Sequence, residues 1–381
     1  MKLSAIQAVE IPEMKAMLLC SKLKPSAEDI KTISALVGKS FDWDRFIILI
    51  KEHRLFPPVY ETLKNHFKDN VPTDAYKRIE ALRKKNLHKC LTNMATAVKV
   101  SRLLNENGID HLFLKGFCLS QMLYGHPCSR YAGDIDLIVD ENMFDKSVAL
   151  FEEKGYQQVQ SDTELTPENK GQFLDLTHHL AFKCPDTYAK IELHFRFHII
   201  SNYYPMDFAE AWKQKRHVTI NGYGFPALGE RHALKNLTLH GSSHFWSRLF
   251  WLKDISDYFR INRSTDEQMF YNDMVADDLS RPAAEMLYFS NTIYGNDLPG
   301  NVLRVIENDW FLSVAPFMMN YTLIHPKHPL TIIFNYFHKI FDHRNIRYNL
   351  KKIKHIFSMK YQKKKYHPED KSRLLKAIAK R

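Results

Sequence analysis

The chain has no C-x-x-C pair, no G-x-x-x-x-G-K-[ST] loop and no internal repeat. Nor does it have an uninterrupted apolar run of about 18 residues, the length a membrane helix needs. Each absence excludes a class. The five cysteines (Cys20, Cys90, Cys118, Cys128, Cys184) are odd in number and widely spaced, which argues against a disulfide framework or a thiolate zinc site and fits a reducing cytoplasm. The most apolar stretch, "FLSVAPFMMNYTLIHPKHPLTIIFNYF", is cut by Pro316, Pro326, Lys327 and Pro329, and the N-terminal "MKLSAIQAVEIPEMK" carries charges where a signal peptide needs its apolar stretch. A soluble, cytoplasmic protein with no membrane partner is expected. Without the phosphate-cradling loop, a phosphotransferase of kinase type is disfavoured.

What is present is a globular composition: 381 residues, 45% hydrophobic and 25% charged, enough chain for two or three domains. The net charge of +11 is local. From Lys351 to Arg381 twelve basic side chains face only Glu369 and Asp370, so +10 of the total lies in this tail. Such a run can attract nucleic acid through counterion release, although its commoner meaning is a solvated helix face.

Hydrophobic periodicity divides the chain into four segments. Residues 1–105 read as helices; in "FDWDRFIILIKEHRLFPPVYETLKNHF" Asp42 is placed to cap one helix and Pro57 and Pro58 to open the next. Residues 106–225 read as a small mixed unit. It contains a strand in "IDHLFLKG", a short helix ending at Gly125, a strand in "AGDIDLIVD", a helix from about Glu141 to Lys154, and a hairpin of "HHLAFKC" and "AKIELHFRFHI" around Pro185-Asp186. Residues 226–350 return to the helical period, with Gly241 inside a helix and breaks near Pro299 and Pro316, and residues 351–381 form a basic helical tail. The fold class expected is α+β, a small mixed sheet flanked by N- and C-terminal helical domains.

The chemistry concentrates in "GDIDLIVD". Side chains alternate along a strand, so Ile135, Leu137 and Val139 pack one way while Asp134 and Asp136 share the other face. Two such carboxylates repel unless a cation offsets them, and hard oxygen donors suit Mg2+ or Mn2+. In "AKIELHFRFH" the residues Ile191, Leu193, Phe195 and Phe197 make an apolar face, with Glu192, His194, Arg196 and His198 opposite. If this strand lies beside the aspartate strand, Glu192 becomes a third acid, and three acids around a divalent pair is what in-line phosphoryl or nucleotidyl transfer requires. Its bland alternative is an exposed residue paired with Lys190 or Arg196. At Lys115-Gly116 a strand turns into a helix, so backbone N–H groups, the helix dipole and an ammonium converge on one anion-binding corner. Ser120, one turn on, could add a hydroxyl or bond helix backbone instead; Arg130 is a second phosphate-binding side chain or a surface arginine.

These residues carry a resemblance. "FLKGFCLSQMLYGHPCSRYAGDIDLIV" is similar to the active-site segment of the nucleotidyltransferase superfamily of DNA polymerase β type, and in detail resembles the bacterial uncharacterised nucleotidyltransferase family. "FDWDRFIILIKEHRLFPPVYETL" and "HGSSHFWSRLFWLKDISDYF" are similar to its N- and C-terminal helical motifs. The resemblance implies a nucleotidyltransferase core that moves a nucleoside monophosphate from an NTP to an acceptor hydroxyl or phosphate, with Asp134, Asp136 and Glu192 as metal-binding catalytic acids. Lys115, Gly116, Ser120 and Arg130 would bind the nucleotide. It further implies that His240, His244 and Arg248 line the cleft opposite the acids, that Lys253 meets the triphosphate, and that Arg248 and Asp254 hold one another or the substrate. The spacing of His240 and His244 also admits a zinc reading, but no acidic or cysteine partner follows at a suitable spacing. Glu192 is a departure, since an aspartate before Leu-His is usual. The acceptor stays open among RNA, a protein side chain and a small metabolite, and a non-catalytic nucleotide-binding or toxin-antitoxin module on the same fold is the rival reading.

Overall fold

The computed structural model describes residues 6–38, 40–159, 171, 174–175, 177–200, 204–261 and 266–366. It is a mixed α+β structure with one seven-stranded sheet and many helices. The chain forms two compact units. One comprises Met1–His88, Cys128–Tyr131 and Leu237–Arg344; the other comprises Lys89–Pro127, Ala132–Asn236 and Asn345–Arg381.

The first unit is helical. Asp42 caps the helix Trp43–Glu52 by accepting from the Arg45 N–H at 2.9 Å, which satisfies one of its orphan donors. The next helix, Phe56–His66, opens on Pro57. Pro299 caps the helix Gly300–Asn308, as a break there requires, but Pro316 lies inside the continuous helix Trp310–Ile324. Its neighbours Ala315, Met318 and Met319 are buried, so packing holds a helix that a proline would otherwise interrupt. Among the described residues, no helix is long and apolar enough to cross a membrane.

The second unit carries the whole sheet: β1 (His111–Phe113), β2 (Ile135–Val139), β3 (Gln157–Gln158), β4 (His179–Lys183), β5 (Lys190–His194), β6 (Arg216–Ile220) and β7 (Tyr223–Ala227), in the spatial order β3-β4-β5-β2-β1-β7-β6. β2 is antiparallel to β1 but parallel to β5. All five residues of β2 are buried, as expected of a central strand. The helix Phe117–Tyr124 follows β1 and ends on the left-handed Gly125 (φ 66°), and Phe144–Glu153 follows β2 after a 3-10 turn.

Three details differ from the sequence expectation. The hairpin β6–β7 extends the sheet to Ala227, past the expected boundary; its turn is Asn221-Gly222, both with positive φ, the geometry that matches strand twist. β5 ends at His194, so Arg196 and His198 lie beyond the ladder, Arg196 pairing with Glu141 and His198 stacking on Tyr204. The helix Glu230–Ser243 stops before His244, and Phe245 and Trp246 both take positive φ, so His240, His244 and Arg248 do not share one helix face.

Candidate functional site

The site is built where β2 and β5 run side by side. Their parallel register sets Asp136 directly opposite Glu192 and Ile138 opposite His194, so alternation puts Asp136, Glu192 and His194 on one face of the sheet. Asp134 stands one residue before β2, in a loop whose Gly133 carbonyl accepts from Asn93 Nδ2 at 3.3 Å. On the other flank the Leu114 N–H donates to the Asp136 carbonyl at 3.0 Å, which brings Lys115 to the same corner. Of the three expected acids, Asp136 and Glu192 are set side by side by the register, with Asp134 near enough to feel both charges but outside their close group of ligand atoms, and the apolar partners Ile191, Leu193, Phe195 and Phe197 are all buried.

Two ammonium groups attend them. Lys115 Nζ lies 3.1 Å from Asp136 Oδ1, and Lys190 Nζ lies 2.6 Å from Glu192 Oε1 and 3.8 Å from Asp134 Oδ2. The Lys190 pairing is the bland alternative for Glu192, and it coexists with the acid cluster. Lys115 approaches Asp136 outside hydrogen-bonding geometry, leaving Oδ1 of this carboxylate, only 3% exposed as a residue, buried with no hydrogen-bond donor. His194 Nε2 faces both carboxylates, 3.7 Å from that oxygen and 3.8 Å from Glu192 Oε2, and its Nδ1 has no hydrogen-bond partner among the described residues.

The electrostatics follow from burial and crowding. Asp134 is pushed up to about 6 by burial, reinforced by the Asp136 and Glu192 charges. Burial alone would raise Glu192 too, but the facing His194, His179 and the Lys190 ammonium hold it well below the usual carboxylate range. His194 is raised because its two carboxylate neighbours outweigh burial, whereas burial lowers His179 to about 4. A carboxylate oxygen desolvated without a donor, beside two further acids, is a donor set suited to a hard divalent cation. Asp136, Glu192 and His194 indeed present one ligand atom each within 4.8 Å of one another.

At Lys115-Gly116 the chain turns from β1 into a helix. Gly116 precedes the helix Phe117–Tyr124 with φ 72° and ψ −135°, a conformation that only glycine adopts without strain; a Cβ there would meet only the Asp134 carbonyl oxygen at an ordinary 3.9 Å, so the backbone angle and not space demands glycine. Ser120 is fully buried and donates to the His126 carbonyl at 2.8 Å.

The remaining expected residues belong to the helical unit. Arg130 is buried and grips Asp254 with two nitrogens, Nη2 at 2.6 Å and Nε at 3.1 Å from Oδ2. It is thus Arg130, rather than Arg248, that the structure sets on Asp254; the Arg248 guanidinium lies 5.8 Å from the Trp251 ring centre. Lys253 is buried and pairs with Asp257 one turn on. His240 and His244 rest on each other at 4.8 Å and on Trp251 at 5.1 Å each. Among the described residues no group of three metal ligands includes them. Sequence reasoning set Lys190 aside as a bland partner and gave no role to His178 and His179, although "HH" opening a strand opposite Glu192-Leu-His194 was a readable signal.

Comparison with known proteins gives a family and one distant structural likeness. Residues 39–295 match the family described as uncharacterised nucleotidyltransferase. No curated protein matches the chain. Among solved structures it is similar to an antigenic nucleotidyltransferase-like protein from Paracoccidioides brasiliensis, with 16% identity over 56% of this chain and 96% of that one and a TM-score of 0.34.

Proposed function

Because the chain belongs to the uncharacterised nucleotidyltransferase family, we propose that it transfers a nucleoside monophosphate from an NTP to an acceptor hydroxyl or phosphate, releasing pyrophosphate, in a reaction that depends on Mg2+ or Mn2+. Asp134, Asp136 and Glu192 would hold the metal, which when bound would neutralise charge on the phosphates in flight. The observation that carries the reading is the in-register pair Asp136 and Glu192 beside Asp134, with a buried Asp136 oxygen that no donor satisfies.

The chain's own groups supply positioning. Lys115 and the N–H groups after Gly116 would orient the phosphate tail, and Glu192, ionised at neutral pH, would complete the metal site, with a role as base for the incoming hydroxyl as the further option. Arg130, His240, His244, Arg248 and Lys253 of the helical unit stay proposed nucleotide ligands, Arg130 and Lys253 through groups that already hold Asp254 and Asp257, whereas the buried Ser120 hydroxyl serves the His126 carbonyl. The basic tail fits an RNA acceptor; a protein side chain or small metabolite suits the acids equally.

One observation favours a second reading, a non-catalytic nucleotide-binding module. Lys115 and Lys190 already place positive charge on the acids, as a site without metal would need. Incubation with each α-labelled NTP, Mg2+ or Mn2+ and cell extract, beside Asp136→Ala, separates the two. Label entering RNA, protein or a small-molecule fraction only with the unaltered protein supports transfer and identifies the acceptor. Silence with every NTP, together with nucleotide binding that survives the substitution, supports the module.

A further inference from the structure

Next to the three acids lies a group of imidazoles that nucleotidyl transfer does not use. β4 is antiparallel to β5, and its register sets His179 directly opposite His194 and the small Ala181 opposite Glu192. His179 thus shares a sheet face with His194. His178 immediately precedes β4, and its carbonyl accepts the Phe195 N–H at 3.1 Å, which fastens it to the end of the same ladder; Thr177 Oγ1 adds a 2.9 Å bond to the His179 carbonyl. The rings gather tightly, with centroids 4.7 Å apart for His178 and His179, 5.2 Å for His178 and His194, and 4.8 Å for His179 and His194.

Three clustered imidazoles would ordinarily be tied down by hydrogen bonds. Here, among the described residues, Nδ1 of His178, Nδ1 of His179 and Nδ1 of His194 are buried with no hydrogen-bond partner, while His194 Nε2 faces Asp136 and Glu192, and His194 is only 6% exposed. Each ring offers a nitrogen within 4.8 Å of the other two. A tetrahedral ion with metal–nitrogen bonds of about 2.0 to 2.1 Å holds its ligands about 3.4 Å apart. Small ring rotations close that gap.

We propose that His178, His179 and His194 form a second metal site, which takes one borderline divalent transition ion of the Zn2+ type through imidazole nitrogens and leaves a fourth position to solvent. Neutral nitrogen donors select such an ion over Mg2+, which the adjoining oxygen donors prefer. His194 joins the two sites: ligating through one nitrogen, it turns the other toward Asp136 and Glu192, an arrangement in which a carboxylate orients a metal-bound ring. The ion would cross-link β4 to β5 and fix the strand that carries Glu192.

The test uses the full-length protein stripped of metal and titrated with Co2+, in the absence of Mg2+ and nucleotide, while the visible d–d absorption is followed. One equivalent should bind with a band of low-coordinate cobalt, zinc should displace it, and His178→Ala and His179→Ala should each weaken binding at least about tenfold. Asp134→Asn should leave it unchanged. Absence of the band overturns the proposal, as does unaltered binding in both histidine variants, or loss in Asp134→Asn with retention in the histidine variants, which would put the ion among the carboxylates. Should His179→Ala fail to fold by circular dichroism, His178→Gln, in the segment before β4, decides alone. Cobalt bound at the histidines by a protein that transfers no nucleotide would refute the transferase reading and leave this site standing.

Discussion

The Trp246 ring lies so close to Gly241 that a Cβ at position 241 would stand 2.1 Å from its Cζ3. Trp246 is fully buried, takes a positive φ, and donates through Nε1 to Glu285 at 3.1 Å, so it has no room to retreat. Gly241→Ala should therefore destabilise the protein by about 3 kcal/mol, overriding the ~1 kcal/mol that alanine contributes to an exposed helix. Urea unfolding of the two proteins measures this, and an alanine variant as stable as the parent would contradict the contact.

Asp134→Asn should trade activity for stability. The native carboxyl titrates near 6 against 3.8 for an ordinary aspartate, so the folded state binds the extra proton between those values and ionisation costs stability as pH rises through them. The asparagine variant escapes that cost. Above pH 6 it should be more stable by about 1 to 2 kcal/mol, discounted because the side chain is a third exposed, with the advantage fading as pH falls toward 3.8. Transfer should fall by roughly a thousandfold. Thermal melts at several pH values check the first outcome and labelled-NTP turnover the second.

Lys190→Met should lower the Mg2+ concentration needed for half-maximal activity. Its ammonium contacts Glu192 and approaches Asp134, so it competes with a divalent ion for the same oxygens. An exposed ion pair is worth up to about 1 kcal/mol, which corresponds to roughly a fivefold change in metal affinity. A Mg2+ titration that is unchanged or shifted upward would show that the lysine aids rather than opposes the metal.

His53 makes the helical unit sensitive to acid. Burial lowers it from 6.5 to about 4, and its neutral Nδ1 accepts the Leu249 N–H at 3.4 Å. The unfolded chain takes up the proton first, so this stabilisation is complete above pH 6.5, falls as pH drops toward 4, and totals on the order of 3 kcal/mol. His53→Gln should flatten the dependence of unfolding free energy on pH across that window; a slope identical to the parent's would exonerate His53.

Much of the local structure was legible because its causes are local. Asp42 caps its helix with its own side chain, Pro57 and Gly125 act through their own φ, and alternation along β2 turns Asp136 away from its aliphatic neighbours, although Asp134 falls just outside that strand. The β6–β7 hairpin was equally local, its Asn221-Gly222 turn being a standard signal that the proline at 226 obscured. Pro316 shows the opposite case: an intrinsic helix breaker overruled by buried neighbours that only the fold supplies.

By itself, the order of residues determined how one strand presents its side chains: Asp136 one way, the branched aliphatics Ile135, Leu137 and Val139 the other. Tertiary structure decided which strands became neighbours, and in what register, so that Asp136 met Glu192, His194 met His179, and Arg130 closed on Asp254 across 124 positions of chain. The reason is physical. A periodic pattern records how a segment presents its side chains, but partner choice is settled by burying charged and apolar groups together, a property of the whole fold that no single segment encodes.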